Sequence, residues 1–190
     1  TSVGYSKKII YRNKAKCNDD IYVTGNLDDS FIGLQIQRKK IKVQKKIKNY
    51  FVNKYYHPNI QINLTKTLFN YANTSIDISD GLISDLEKLI NKQRLSYTLN
   101  MNKVPISINL VNLIKKNKLN KFNLISKGDD YQILFTASPT KARIIRNTSN
   151  KLGIKITKIG KITPANKKSI IINQKGKQIL IKNKGYTHQF

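Results

Sequence analysis

One segment, residues 75–86, constrains the fold of this 190-residue chain more than any other. Ser75 to Ile78 alternate polar and apolar side chains and include β-branched residues, which is the pattern of a short strand. Residues 79–81 (Ser-Asp-Gly) are typical of a helix start, because a Ser or Asp side chain can accept from the first unpaired N–H groups. The segment therefore predicts a strand, a turn and a helix with one apolar face. The apolar residues at helical spacing are Leu82, Ile83, Leu86, Leu89 and Ile90.

Acidic residues are concentrated in the same segment. The chain has 36 Lys and Arg but only 10 Asp and Glu, and Asp77, Asp80 and Asp85 are three of those ten. Carboxylates at such a corner can hold a hard cation, and the N–H groups of the turn can face a phosphate. The local pattern alone is explained equally well by a helix cap at Asp80 and a surface acid at Asp77.

The formal net charge of +26 invites a nucleic-acid interpretation. However, the positive charge is nearly all Lys and is spread along the whole chain together with abundant Ile and Asn. The densest run, 38–48, contains apolar residues at 41, 43 and 47, which favours a solvated loop leading into a helix. We therefore do not expect a nucleic-acid partner, although the same field would favour an anionic substrate.

The sequence also indicates the cellular compartment of the protein and whether the chain is part of a longer one. Cys17 is the only cysteine, so no internal disulfide can form, which fits a reducing compartment such as the cytoplasm. We find no signal peptide and no apolar run near the roughly 20 residues that a membrane span needs. Because residue 1 is Thr and a strand-like segment follows at once, we expect the chain to begin within a longer protein.

Strand and helix patterns are intermixed along the chain. This order predicts an α+β fold, a mixed β-sheet with helices packed on one face. The predicted strands are 8–11, 21–24, 75–78, 95–99, 131–135, 154–162, 170–172 and 179–181, and the predicted helices lie at about 30–36, 44–55, 60–70, 82–91, 107–116 and 139–152.

Two further acidic pairs precede predicted elements. Asp129 and Asp130 follow Gly128 at the entrance of a strand, where adjacent like charges repel, so we expect either a site or a surface turn. Asp28 and Asp29 are explained by helix capping and the helix dipole. The chain has no Walker-A loop, no dinucleotide glycine fingerprint and no Cys/His metal set. Any phosphate chemistry would therefore use carboxylates and magnesium.

Several of these segments together resemble the thiamine-monophosphate kinase family. Residues 77–86 (D-I-S-D-G-L-I-S-D-L) resemble its D-x-S-D-G-L-x-x-D-L signature, and residues 128–135 (G-D-D-Y-Q-I-L-F) resemble its G-E-D-Y-E-L-x-F segment. Residues 21–34 are similar to its V-T-G … D-S-x-x-G-L stretch, and Gly160 and residues 184–186 follow in the expected order. The resemblance covers nearly the whole chain and implies the C-terminal domain of an AIR-synthase-related fold.

The resemblance implies an enzyme that phosphorylates thiamine monophosphate to thiamine diphosphate with ATP and several Mg²⁺ ions. Residues 1–25 would be a crossover segment from an absent N-terminal ATP-binding domain, and residues 26–190 the C-terminal α+β domain. That absent domain would also form a homodimer. The 190 residues alone would therefore be inactive.

The resemblance also implies residue roles. Asp77 and Asp80 would bind Mg²⁺, Arg12 and Ser79 would contact ATP, and Asp129 and Asn183 would contact the substrate. Asp129 stands where the family has Glu, Asn183 where it has an aromatic residue, and Gln61 where an arginine is common. These departures lie on the substrate side and support an alternative, a non-catalytic or decayed nucleotide-binding domain of the same fold.

Overall fold

The fold is built on a six-stranded mixed sheet with the order β2-β4-β1-β5-β3-β6. A computed structural model describes residues 8–117, 121–124 and 127–180. Neighbouring strands are antiparallel except for the pair β3 and β6, which is parallel. The strands are β1 Asp20–Thr24, β2 Thr74–Asp77, β3 Leu95–Asn100, β4 Ile133–Ala137, β5 Ile156–Pro164 and β6 Ile170–Ile172.

Seven α-helices connect these strands in the described part of the chain. A single 3-10 turn, Pro139–Lys141, precedes the last of them. The helices are α1 Asp29–Gln37, α2 Lys45–Tyr56, α3 Ile62–Leu68, α4 Leu82–Leu89, α5 Ile108–Asn117, α6 Lys121–Leu124 and α7 Ala142–Leu152.

The sheet has a hydrophobic core on each of its two faces. Strand side chains alternate between the faces, so Ile21 and Val23 of β1 join one core while Tyr22 joins the other. Helix α4 packs on the first face, and α3 and α7 pack on the second. The predicted α+β class and mixed sheet are thus confirmed. The predicted placement of helices on one face is corrected, because alternation makes both faces of the central strands apolar.

A third core lies among the helices α1, α2 and α5. Gly33 allows close packing there, since a Cβ at this position would collide with the carbonyl oxygen of Phe51. The arrangement fixes the N-terminus of α1 beside the sheet.

The predicted elements match the structure in the interior of the chain and fail at its ends. Residues 8–11 form no strand, although the Tyr11 carbonyl accepts a hydrogen bond from Thr74 Oγ1 at 2.7 Å. Near the other end, Gln178 makes only an isolated bridge to Ile172, and residue 181 lies outside the described residues. The short helix α6 was not predicted. Among the described helices, none has the length and apolar character needed to cross a membrane.

Candidate functional site

The two acidic motifs meet at one end of the sheet. Strands β2 and β4 are antiparallel with Asp77 opposite Ile133, and their pairing continues beyond the strand ends. Tyr131 N–H donates to the Ile78 carbonyl at 2.9 Å, and Asp129 N–H donates to the Ser79 carbonyl at 2.9 Å. These bonds hold residues 77–80 alongside residues 128–131. Asp77, Ser79, Asp80 and Asp129 are therefore neighbours.

The backbone of residues 128–131 adopts an uncommon conformation. Gly128, Asp129 and Tyr131 have φ values of 79°, 64° and 51°, in the left-handed region. A Cβ at Gly128 would collide with the carbonyl oxygen of Ser79, so a glycine is required there for space as well as for φ. Such conformations persist where the surrounding structure determines them, and they are common at functional sites.

The carboxylate of Asp85 holds the turn at residues 79–81. Its Oδ2 accepts hydrogen bonds from the N–H groups of Ser79, Asp80 and Gly81 at 3.0, 2.9 and 3.1 Å. The N-cap of α4 is Gly81, which makes no side-chain cap. The predictions that Ser79 or Asp80 caps this helix and that the turn's N–H groups face a phosphate are therefore wrong: an acceptor inside the helix occupies all three donors.

Asp80 and Asp85 share one counter-ion. The Lys88 ammonium donates to Asp85 Oδ1 at 2.9 Å and also contacts Asp80 Oδ2. The side chain of Asp80 is 17% exposed and that of Asp85 only 1%, whereas Asp77 is exposed. Asp80 is thus a carboxylate near the protein surface that is already paired with the positive charge of Lys88.

These residues fit part of a magnesium site. Two carboxylates and a hydroxyl are hard oxygen donors of the type that Mg²⁺ prefers. The described residues contain no group of three Asp, Glu, His or Cys side chains that could hold a metal ion. Mg²⁺ takes about six oxygen ligands, so the remaining ones must come from other molecules or from other parts of the protein.

The charge of Arg38 acts on Asp129, an influence that sequence reasoning missed. Partial burial raises the pKa of Asp129, the Arg38 guanidinium opposes that rise, and the Asp80 carboxylate adds to it. Arg38 follows the end of α1 and is exposed. In the sequence, Arg38 is only the first residue of the basic run 38–48. Its influence on Asp129 could not be predicted, because it depends on how α1 packs relative to the turn at residues 128–131, which is distant in the sequence.

A second acidic cluster lies beneath the first. Asp28 N–H donates to both carboxylate oxygens of Asp130 at 2.8 Å, whereas the side-chain oxygens of Asp28 have no hydrogen-bond partner among the described residues. Burial, reinforced by the Asp29 carboxylate, raises the pKa of Asp28 to about 8. Burial and the Asp28 carboxylate raise the pKa of Asp130 well above its usual range. Asp130 is therefore an interior residue rather than part of a surface turn.

Asp29 connects three helices. The predicted side-chain capping of α1 by Asp28 is not found, because the N-cap Asp28 makes no side-chain cap hydrogen bond. Asp29 Oδ1 accepts from Ser107 Oγ at 2.6 Å and Asp29 Oδ2 from the Tyr50 hydroxyl at 2.8 Å. It also lines a polar cavity of about 110 Å³ together with Asp130 and Lys54. These bonds attach α1 to α2 and to the start of α5.

Gln61 takes part in a buried network beside that cavity. Its Nε2 donates to Gln132 Oε1 at 3.1 Å, and Thr24 Oγ1 donates to the same oxygen at 2.8 Å. Gln132 Nε2 in turn donates to the Asn59 carbonyl at 3.0 Å. Gln61 is therefore a buried residue whose side-chain amide donates a hydrogen bond inside the protein.

Arg12, another expected site residue, is not brought to the carboxylates. Arg12 is exposed, and its neighbour Asn13 donates its N–H to the Leu89 carbonyl at 3.3 Å. Leu89 ends α4, so Arg12 lies near the end of that helix opposite Asp80. Its contact with ATP stays a prediction. Asn183 and residues 184–186 lie outside the described residues.

Comparison with known proteins identifies relatives over nearly the whole chain. The chain is 38% identical to the thiamine-monophosphate kinase of Buchnera aphidicola subsp. Schizaphis graminum over 183 residues, which is 96% of this chain and 56% of that protein. It is 30% identical to the enzyme of the same name from Escherichia coli K12, over 95% of this chain and 55% of that protein. No protein-family model matches.

A solved structure gives the same result. AaThiL complexed with AMPPCP and TMP superposes with a TM-score of 0.77 at 25% identity, covering 95% of this chain and 54% of that one. The chain spans about half the length of the relatives it matches. Over nearly its whole length, this chain is thus similar to thiamine-monophosphate kinases, and it corresponds to about half of such a protein.

Proposed function

We propose that this chain is the C-terminal half of a thiamine-monophosphate kinase. The reaction transfers the γ-phosphoryl group of ATP to the phosphate of thiamine monophosphate, so that one P–O bond forms, one breaks, and ADP leaves. The observation that carries the proposal is the convergence of residues 77–80 and 128–131 at one end of the sheet. The relative that binds AMPPCP and TMP supports the choice of substrates.

Each expected site residue has a proposed role. Asp77 and Asp80 hold Mg²⁺, Ser79 and Arg12 contact ATP, and Asp129 and Asn183 contact thiamine monophosphate. A Mg²⁺ ion held by Asp77 and Asp80 would supply neutralisation of charge on the phosphate oxygens and would help to orient them for in-line transfer. The transfer needs positioned groups rather than a protein nucleophile, so no residue is assigned a covalent role.

The rest of the polypeptide completes the proposal. Residues 1–25 lead from an N-terminal domain that supplies further metal ligands and forms a homodimer, and residues 26–190 close the site. Strand β1 (residues 20–24) pairs with β4 and β5 in the centre of the sheet, so the crossover segment ends inside this fold. The exposed free thiol of Cys17 supports a reducing compartment, and we propose the cytoplasm.

The test is an assay of the full-length protein that carries this chain. The protein is incubated with ATP, Mg²⁺ and thiamine monophosphate, and thiamine diphosphate is measured by chromatography of the thiochrome derivatives. We expect product in amounts equal to the ADP formed. A folded full-length protein that forms no thiamine diphosphate contradicts the proposal.

The substitutions on the substrate side favour a second candidate, a nucleotide-binding domain without catalysis. Asp129 has a shorter side chain than the Glu of the related motif, and Gln61 is bound in an interior network. Calorimetry of the full-length protein separates the two functions. Binding of both the ATP analogue and thiamine monophosphate supports the kinase, and binding of the analogue alone supports the second candidate.

A further inference from the structure

The ammonium group of Lys88 lies between Asp80, a proposed cation ligand, and the interior carboxylate of Asp85. It donates to Asp85 Oδ1 at 2.9 Å and contacts Asp80 Oδ2. Lys88 is in the last turn of α4, whereas Asp80 precedes that helix. Helical side chains lean toward the N-terminus, which is how Lys88 reaches back along α4 to the turn.

The two carboxylates differ in how firmly they are held. Asp85 is interior, and it accepts three backbone hydrogen bonds in addition to the one from Lys88. Asp80 has a side chain that is 17% exposed, and it sits in the turn that also carries Ser79. The Lys88 side chain is itself 42% exposed, so it can move without opening the core. Lys88 can therefore release Asp80 and keep Asp85 as its partner.

We infer that Lys88 is a built-in counter-ion of Asp80 that competes with the divalent cation for this carboxylate. The inference rests on the proposed role of Asp80 as a Mg²⁺ ligand. In the absence of cation, the ammonium group neutralises Asp80 and keeps it directed toward the site. Cation binding requires Lys88 to leave Asp80 and remain on Asp85.

The inference predicts that removing the charge of Lys88 raises the affinity for Mg²⁺. A unit charge about 5 Å from a divalent ion lowers its affinity on the order of tenfold in water, and salt reduces that effect. Lys88→Met keeps most of the length of the side chain but removes the charge. We expect it to tighten Mg²⁺ binding at least about fivefold at low salt.

The experiment is calorimetric titration of the full-length protein with MgCl₂ in the absence of nucleotide, repeated at high salt. Lys88→Arg keeps the charge and should bind Mg²⁺ like the wild type. Lys92→Met removes the same charge from an exposed residue just beyond α4, and it should also leave the affinity unchanged. Circular dichroism establishes that each variant is folded.

The outcomes distinguish this inference from the proposed function. Tighter binding by Lys88→Met alone, together with weaker binding by Asp80→Asn, supports the inference. If Asp80→Asn weakens Mg²⁺ binding but Lys88→Met does not tighten it, the counter-ion role is overturned and the metal site stands. If Asp80→Asn leaves the affinity unchanged, the assignment of Asp80 fails, and the inference fails with it.

Discussion

Six of the ten acidic side chains of this protein lie in its interior: Asp19, Asp20, Asp28, Asp29, Asp85 and Asp130. A buried carboxylate is costly unless it is paired or accepts hydrogen bonds. Most of these residues meet that condition. For example, Asp20 pairs with Lys158 at 2.7 Å, and Asp19 accepts from Asn73 and Thr136 at 2.9 Å. Asp28 is the exception, because its side-chain oxygens have no partner among the described residues.

Asp28 should therefore lower the stability of the protein at neutral and alkaline pH. Its pKa is about 8 in the folded state against 3.8 for an ordinary Asp, so the folded protein binds the extra proton between these values. Stability consequently falls as the pH rises from 4 to 8. Asp28→Asn removes this loss and suits the φ of 70°, since Asn tolerates the left-handed region.

We expect Asp28→Asn to raise the free energy of unfolding at pH 8 by at least about 1 kcal/mol, and by less at pH 5. Urea denaturation across this pH range measures the difference. Asp19→Asn is the control, and it should destabilise the protein because that carboxylate is fully hydrogen-bonded. A gain for Asp28→Asn that is the same at every pH would contradict the assigned pKa.

At the scale of elements, the unit formed by β2, the turn and α4 shows what a local pattern can predict. The strand at 75–78 and the helix from 82 were predicted within a residue or two, because alternation and helical spacing are local properties. The hydrogen-bond partner of the turn was not predicted. The N–H groups of the turn are bound by Asp85, a residue inside the helix whose role the local pattern does not indicate. The pattern instead favours Ser79 or Asp80 as the acceptor, because Ser and Asp are common at helix starts.

Other features of the site depend on contacts between distant segments. The order of the six strands places β1 between β4 and β5, which no local pattern contains. The same holds for the influence of the Arg38 charge on Asp129 and for the burial of Asp130 against Asp28. The motifs predicted which residues belong to the site, but only the packing shows which of the described ones are exposed and which are interior.

The turn gives a prediction at this scale. Asp85→Asn puts an amide group where the carboxylate met three N–H groups and Lys88, so it leaves donors without a full acceptor. We expect a loss of about 2 kcal/mol in the free energy of unfolding. We also expect faster hydrogen exchange at the amides of residues 79–81, measured by NMR. Unchanged protection of these amides would show that Asp85 does not hold the turn.

At the scale of the whole molecule, the described site is incomplete by itself. In the proposed role it would contribute two carboxylates and a hydroxyl to ions that each take about six oxygen ligands. The chain also spans about half the length of its relatives. The excess of positive charge, +26 over the chain, suits the proposed substrates, which are both anionic phosphates.

The 190-residue chain on its own should therefore form no thiamine diphosphate. The reason is that half of the proposed metal ligands would be absent while the fold remains. The assay is the same chromatographic one, and circular dichroism checks that the isolated chain is folded. Activity of the isolated chain near that of the full-length protein would contradict a site divided between two halves.

The central claim is that residues 77–80 form one wall of a phosphoryl-transfer site, and turnover of Asp80→Asn in the full-length protein tests it most directly. Transfer of ³²P from the γ-position of ATP to thiamine monophosphate is compared with that of the wild type and of Glu87→Gln. The latter removes an acid from the same helix and keeps a hydrogen-bond acceptor for Tyr97. We predict that Asp80→Asn lowers turnover at least about 100-fold and that Glu87→Gln does not. Turnover of Asp80→Asn close to that of the wild type would contradict the account.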